Sequence, residues 1–277
     1  MRSTGMEALD SRLGGIEEGS VFLVLGPDDV GKSILGLHFL IAGLEHDERC
    51  LLVTSADAKE VDGRGLYMGF SPGPLSEHRN LEILDIQEAI FERGAVAGRH
   101  APVDTLRPVL RNGDGARPFS RVVIDDLNWF LQASHTPEAT ARAAMDLLQS
   151  SGVSSYVVVS TADLVALDED LIEMISASAG AVMELQQLGR GRRRFVFHDV
   201  RQQSFSTEPF LYTLRSGGGF SEDLPAYDRQ VDHELRRKVV ILDESNVVGT
   251  EVLKALSTSF EVETFTDLDR SLVRLLE

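Results

Sequence analysis

The sequence predicts an α/β fold with a mostly parallel sheet, and three observations support this fold class. Short apolar, β-branched runs alternate with stretches of helical periodicity up to about residue 180, as in a parallel sheet covered by helices on both faces. A glycine-rich loop joins the first of these strands to the first long helix. After residue 180 strand candidates follow one another, which predicts an antiparallel extension at one sheet edge.

Each parallel strand is predicted where a run of apolar residues is bounded by turn-forming or polar residues. These runs span residues 21–26, 49–55, 80–86, 120–127 and 155–161. One helix is predicted at 32–44, and another between Thr136 in the N-cap position and Gly152 just past the end. A further helix is predicted at 167–180, and the strands of the extension are predicted within 180–188, 193–200 and 209–220.

The last part of the chain has a different composition. Residues 221–237 are polar and charged, and we interpret them as a linker. Residues 238–277 have the pattern of a short β-α-β-α segment. We therefore expect a large domain at 1–220, a linker at 221–237 and a small C-terminal segment at 238–277.

The amino-acid composition limits the classes of molecule that the protein is expected to bind. The 277 residues include 44 acidic and 27 basic side chains, a net charge of −17. Because Lys and Arg supply most nucleic-acid affinity, this charge argues against nucleic acid as a partner. The basic run 189–194 is the exception, and it is either a hairpin turn with solvated arginines or a local contact with an anion.

The chain also lacks the signals of membrane insertion and of secretion. No apolar run reaches the roughly 18 residues of a membrane span, and the N-terminus lacks the apolar core of a secretory signal. The single cysteine, Cys50, cannot form an internal disulfide. We therefore predict a cytoplasmic location without membrane insertion.

The stretch GPDDVGKS, residues 26–33, matches the phosphate-loop pattern G-x-x-x-x-G-K-[ST] and lies between a predicted strand and a predicted helix. In such a loop the backbone N–H groups surround phosphates, the lysine reaches the β- and γ-phosphates, and the hydroxyl ligates Mg²⁺. The residues predicted to bind nucleotide are Gly26, Asp29, Val30, Gly31, Lys32, Ser33 and Ile34.

A second motif complements this loop. The run RVVIDD brings Asp125 to the carboxyl end of a predicted strand, where ligands bind in sheets of this kind. One carboxylate at that position holds Mg²⁺ or its hydration shell. We therefore predict that Ser33 and Asp125 form the metal site, with Asp126 as the alternative carboxylate.

Two carboxylates inside the phosphate loop are unexpected. Asp28 and Asp29 occupy variable positions of the pattern, so the loop retains all its required residues. Negative charge beside a triphosphate nevertheless lowers affinity unless the carboxylates point away or meet a cation. We expect that Asp28→Gly or Asp29→Gly tightens nucleotide binding.

The N-terminal region resembles the KaiC-like branch of the RecA superfamily. The pairs Thr4-Gly5, Leu9-Asp10, Gly14-Gly15 and Gly19-Ser20 precede the first strand at matching places, and the resemblance extends from about residue 3 to about residue 220. It implies a RecA-like P-loop NTPase core that binds ATP and Mg²⁺. It also implies a homo-oligomer, often a hexamer, with the nucleotide at the subunit interface.

The chain departs from that family at two places that serve hydrolysis. Members usually end the second strand with paired glutamates that activate water, whereas this chain has Ala56 and the shorter Asp57. Members tend to carry a Lys-x-Arg that reaches the neighbouring subunit's γ-phosphate, whereas this chain has Asp199-Val200-Arg201. Asp57 and Arg201 are the catalytic candidates. Both departures reduce the predicted rate of hydrolysis more than they reduce binding.

The C-terminal segment resembles the start of a response-regulator receiver domain, in which the first strand ends in an acidic pair. Asp243 and Glu244 match that pair. The resemblance implies a signalling context and a protein partner in signalling. A generic β-α-β-α extension is the alternative interpretation.

These observations lead to an expected function with three alternatives. We expect a KaiC-like protein that binds ATP·Mg²⁺, hydrolyses it slowly or not at all, and uses the nucleotide as a conformational or oligomerisation switch. The alternatives are an active ATPase motor with Asp57 or Asp126 as base, a recombinase-like DNA-binding protein, and a scaffold whose loop is vestigial.

Overall fold

The computed structural model describes residues 1–70, 73–87, 101–111, 117–161, 169–188, 192–200, 208–222, 238–242 and 261–265. The chain divides into two compact units, Met1–Glu222 and Asp223–Glu277. The described residues include no helix long and apolar enough to cross a membrane.

The first unit is built on a nine-stranded sheet with the strand order β3-β2-β4-β5-β1-β6-β7-β8-β9. Strands β1 to β6 are parallel, and β7, β8 and β9 are antiparallel to their neighbours. This arrangement confirms the predicted fold class. The strands are β1 (Val21–Gly26), β2 (Cys50–Thr54), β3 (Leu81–Asp85), β4 (Arg121–Asp125), β5 (Ser154–Ser160), β6 (Ala181–Gln187), β7 (Arg193–Val200), β8 (Phe210–Arg215) and β9 (Gly219–Glu222).

Helices cover both faces of the sheet. They are α1 (Glu7–Leu13), α2 (Lys32–Leu44), α3 (Ala58–Tyr67), α4 (Ala101–Leu110), α5 (Asn128–Gln132), α6 (Pro137–Ser151) and α7 (Glu169–Ser178). One apolar cluster packs the sheet against α1, α2 and α3, and a second packs the opposite face against α4 to α7. Every residue of β1 is therefore buried, and its apolar side chains alternate between the two clusters.

The predicted boundaries of α6 agree with the structure. Pro137 is its first residue, Thr136 precedes it, and Gly152 ends it in the left-handed conformation at φ 67°. The Thr136 side chain makes no capping hydrogen bond to the described residues. Thr136 therefore has the predicted position before α6, but within the described structure its side chain does not cap the helix.

A buried ion network joins the N-terminal segment, α2 and β4. Arg121, 2% exposed, donates to the carbonyl oxygens of Ser3 (2.6 Å) and Phe39 (2.8 Å). Its Nε donates to the Glu48 carboxylate, which also accepts a hydrogen bond from Arg2. The Arg121 guanidinium lies 4.6 Å from the centre of the Phe39 ring. Nε and Nη1 of this buried cation therefore have polar partners, as burial of a charge requires.

A second buried polar contact joins α2 to the β8–β9 hairpin. His38 Nε2 accepts a hydrogen bond from the Phe220 backbone N–H at 3.1 Å, and the ring also bonds the Gly5 backbone. Burial lowers the pKa of His38 to about 4. The imidazole is therefore neutral in the folded protein at neutral pH.

The second unit contains β10 (Lys238–Leu242) and β11 (Glu261–Phe265), which pair in parallel with Lys238 opposite Glu261. Asp243 and Glu244 lie outside the described residues, so the receiver resemblance stays a prediction. In the first unit, β9 ends at Glu222, two residues beyond the boundary predicted from composition.

We predict that Arg121→Leu destabilises the first unit by about 3–5 kcal/mol, because removing one partner leaves the Glu48 carboxylate incompletely compensated. Urea unfolding measures the change. Arg79→Leu is the control, since the Arg79–Asp47 pair is exposed on both sides and its loss should not change stability measurably. Equal effects of the two substitutions would contradict a special role for Arg121.

We predict an acid-sensitive stability that comes from His38. Its folded pKa of about 4 lies below the usual 6.5, so its contribution is complete above pH 6.5 and is lost as pH falls towards 4. The loss amounts to about 3 kcal/mol at most. In unfolding curves measured from pH 7 to 4, His38→Gln should weaken this dependence, and His135→Gln, at an exposed position, should retain it.

Candidate nucleotide-binding site

The phosphate loop has the predicted placement between β1 and α2. β1 ends at Gly26 and α2 begins at Lys32. Gly26 has φ 152°, and a Cβ there would lie 2.5 Å from the Leu185 carbonyl oxygen. Gly31 has φ 102°, and a Cβ there would lie 3.0 Å from a Leu214 methyl carbon. Both glycines are therefore required by space and by backbone conformation.

The antiparallel extension holds this loop. The Tyr212 hydroxyl donates to the Val30 carbonyl oxygen at 2.7 Å in a buried contact, and Arg193 Nη2 donates to the Asp29 carbonyl oxygen at 3.3 Å. Across a trans peptide the N–H points away from the carbonyl. The N–H groups of Val30 and Gly31 are therefore directed away from the extension.

A cleft of about 390 Å³ lies at this end of the sheet. Six predicted site residues line it, together with four others, of which Asp126 is the predicted alternative to Asp125. The predicted ones are Asp29, Gly31, Lys32, Ser33, Ile34 and Asp125. The others are Asp28, Arg64, Asp126 and Leu214. Gly26 and Val30 are buried beneath the loop and do not line the cleft.

Lys32 lies under the loop with its side chain 8% exposed. Its Nζ donates to the Pro27 carbonyl oxygen at 2.5 Å and lies 3.7 Å from Asp28 Oδ1. Burial lowers the pKa of Lys32, and the carboxylates of Asp28, Asp126 and Asp125 oppose that shift. Asp28 also accepts a hydrogen bond from the Ser160 hydroxyl at 2.6 Å.

Asp125 lies at the end of β4 and connects α2 to α3. Its carboxylate is hydrogen-bonded by the Ser33 hydroxyl and by Arg64 Nη1, the latter at 3.2 Å. Burial raises the pKa of Asp125, whereas these partners and Lys32 lower it. Arg64 Nη2 donates to Glu60 at 2.6 Å, so one guanidinium joins two carboxylates.

Asp126 follows through a cis peptide bond and also faces the cleft. Burial, and then the neighbouring charge of Asp125, raises the pKa of Asp126 to about 6. Backbone hydrogen bonds from Asn128 and Trp129 reach its carboxylate, but Oδ1 is buried without a hydrogen-bond partner among the described residues. Because this oxygen is buried, a cation in the cleft would reach it only after the Asp126 side chain turns.

These oxygen atoms fit Mg²⁺. Ser33, Asp125 and Asp126 present a hydroxyl and two carboxylates, which are the hard ligands that Mg²⁺ prefers. Within the described part of the chain, no three His, Cys, Asp or Glu side chains could hold a metal by themselves. This agrees with Mg²⁺ sites that use one or two carboxylates together with substrate phosphates.

The catalytic candidates are placed differently. Asp57 is the N-cap of α3, where Oδ1 accepts a hydrogen bond from the Glu60 N–H at 2.8 Å, and it does not line the cleft. Ala56 is buried. The Asp199 backbone belongs to β7, while its side chain and all of Arg201 lie outside the described residues. The catalytic assignment of Asp57 and Arg201 stays a prediction.

We predict that Asp28→Asn tightens binding of ATP·Mg²⁺ about two- to fivefold, since the carboxylate competes with phosphate for Lys32 in a partly solvated ion pair. Asparagine preserves an acceptor for Ser160. Asp29→Asn should have a smaller effect, because no ion pair links Asp29 to Lys32 in the described structure. Calorimetric titration measures both, and weaker binding by Asp28→Asn would contradict the prediction.

Comparison with known proteins agrees with this geometry. A family model described as "ATPase: KaiC" matches residues 2–158, more than half of the chain. The KaiC-like protein PH0186 from Pyrococcus horikoshii OT3 superposes with a TM-score of 0.63 at 16% identity, over 80% of this chain and 98% of that one.

The flagellar accessory protein FlaH from Methanocaldococcus jannaschii gives a TM-score of 0.60 at 15% identity, over 79% of this chain and 96% of that one. No curated protein sequence gave a significant match. At these identities the two structures show a shared fold, and the family match covers the residues of the phosphate loop and of the acidic strand. The chain belongs to the KaiC ATPase family.

Proposed function

We propose that this protein binds ATP·Mg²⁺ in the cleft, hydrolyses it slowly or not at all, and uses the bound nucleotide as a conformational or oligomerisation switch in signalling. Family membership supports ATP binding by a RecA-like core. The slow hydrolysis and the switch are our inference from the residues around the cleft.

The position of Asp57 carries the proposal. Its carboxylate accepts a hydrogen bond from the N–H of Glu60, in the first turn of α3, and is exposed, so its capping role accounts for its presence. Ala56, beside it, has no group that accepts a proton from water. The end of β2 therefore contributes no carboxylate to the lining of the cleft. Loss of general-base help costs roughly 10²–10⁴-fold in rate.

The residues for binding are in place. Lys32 is held beneath the loop close to its future phosphate partners, and a buried ammonium gains more from an anion than an exposed one. Ser33 and Asp125 would hold Mg²⁺, with the Asp126 carboxylate as a further acceptor. Mg²⁺ bound there would neutralise charge on the β- and γ-phosphates.

The proposed partners follow from the family and from charge. Family members bind nucleotide and often oligomerise, so we infer a homo-oligomer with nucleotide at the subunit interface. We further propose a cytoplasmic protein with a protein partner in signalling. A net charge of −17 argues against nucleic acid as that partner.

One observation favours an active ATPase instead. Asp126 faces the cleft with a pKa raised to about 6 and with Oδ1 unpartnered among the described side chains. A carboxylate in that state is charged at neutral pH and could accept a proton from water. In this alternative Asp126, rather than Asp57, is the general base.

We predict that ATP·Mg²⁺ at about 100 times its Kd stabilises the protein by about 2.7 kcal/mol, since it binds only the folded state. Turnover should stay below about 1 s⁻¹, the low end for enzymes. Asp57→Ala should leave turnover unchanged, because this carboxylate caps a helix. Thermal melting and phosphate release measure the two quantities.

Lys32→Ala is the control for binding, and it should abolish the stabilisation by ATP·Mg²⁺. Turnover far above 1 s⁻¹ that disappears in Asp126→Asn would replace the proposal with the active ATPase. An unchanged melting temperature in ATP·Mg²⁺ would instead favour a scaffold with a vestigial loop.

A further inference from the structure

Arg64 places a cation in the cleft from the chain's own α3. Its side chain is 28% exposed and lines the cleft together with Lys32 and Ser33. Arg64 belongs neither to the phosphate loop nor to the acidic strand β4. Among the residues that line the cleft, Arg64 and Lys32 are the two cations.

In this structure Arg64 covers the carboxylate that is proposed to hold the metal. Nη1 lies 3.2 Å from Asp125 Oδ2, and Asp125 is 11% exposed. The Ser33 hydroxyl bonds the same carboxylate. The two proposed metal ligands are thus bonded to each other, with a guanidinium over one of them.

When Mg²⁺ and a triphosphate enter the cleft, the charges around the Arg64 guanidinium change and favour a different partner for it. A divalent cation on Asp125 would repel the guanidinium that now bonds this carboxylate, whereas the terminal phosphate would attract it. Glu60 holds Nη2 at 2.6 Å from the more exposed side, so Arg64 stays at the cleft when it loses one partner. Guanidinium groups bind carboxylate and phosphate with the same two-donor geometry.

We propose that Arg64 exchanges Asp125 for the terminal phosphate when ATP·Mg²⁺ binds, and so senses the triphosphate from within the same subunit. This inference rests on the proposed ATP binding. The exchange makes Arg64 a ligand-binding residue that distinguishes ATP from ADP. It also provides a cation in cis in a chain that has Asp199 where family members tend to carry the lysine of the Lys-x-Arg pair.

The test compares ATP and ADP affinities, both with Mg²⁺, by calorimetry on the full chain. Arg64→Gln is expected to weaken ATP binding about 10- to 100-fold, as for loss of a hydrogen bond to a charged group, and ADP binding less than about threefold. Lys59→Ala removes the same charge from an exposed position of α3 and should change neither affinity.

If Arg64→Gln loses the same affinity for ATP and for ADP, or loses none, the proposed role of Arg64 is wrong. The proposal that the protein binds ATP would still stand. Equal affinities of the wild-type protein for ATP and ADP would also contradict the proposed role of Arg64 without contradicting ATP binding. Wild-type protein that binds neither would overturn the proposed function itself. If Arg64→Gln melts below the assay temperature, Arg64→Lys replaces it, and an ATP preference reduced at least about threefold is expected. An unchanged preference in Arg64→Lys would overturn the inference.

Discussion

The ion pairs of the partly buried Glu48 carboxylate with Arg2 and Arg121 are the interaction on which the rest of the first unit depends. Arg121 begins β4 and donates to the Phe39 carbonyl oxygen in α2, so it joins these two elements directly. At their other ends, α2 carries Lys32 and β4 carries Asp125. The charges around Arg121, at the far end of β4, therefore help to fix the relative position of Lys32 and Asp125, the residues proposed to bind phosphate and metal.

Charge also controls what the cleft can accept. Four carboxylates and two cations line it. Each cation already lies beside at least one of these carboxylates, so a bare triphosphate would meet more negative charge than positive. A nucleotide therefore has to arrive with a metal ion or cause the cations to change partners. The Asp126 carboxylate lines the cleft and offers such a metal a further acceptor, although its unpartnered Oδ1 is buried and would have to turn towards the ion.

Local sequence signals predicted the strands, the phosphate loop and Asp125 because each depends on neighbours in the chain. The run before Gly26 and the helix after Lys32 placed the loop, and three apolar residues placed Asp125 at a strand end. Arg64 was missed because its proposed role depends on its ion pair with Asp125, 61 residues along the chain, which no short pattern encodes. One signal was available in the sequence, namely an arginine on the helix that follows β2. Because β2 and β4 are neighbours in the sheet, that helix begins close to the end of β4.

The hydrogen-bond partner of Asp28 was not predictable for the same reason. Its partner Ser160 lies 132 residues away, at the end of β5. Leu214 reaches the cleft only because β8 packs beside the loop. Asp57 illustrates the opposite case, since its capping bond to Glu60 spans three residues. Its position opposite the family's paired glutamates suggested catalysis, and the local hydrogen bond adds a helix-capping role.

The hydrogen bond from Tyr212 to Val30 has a consequence for biosynthesis. These residues are 182 positions apart, so the loop that is first to be translated waits for β8 before its backbone is held. Contacts of such separation form late because the intervening chain must be closed first. During translation the growing chain exposes a phosphate loop that is not yet held in place. The contact that holds the Val30 carbonyl oxygen thus becomes available only when nearly all of the first unit has been made.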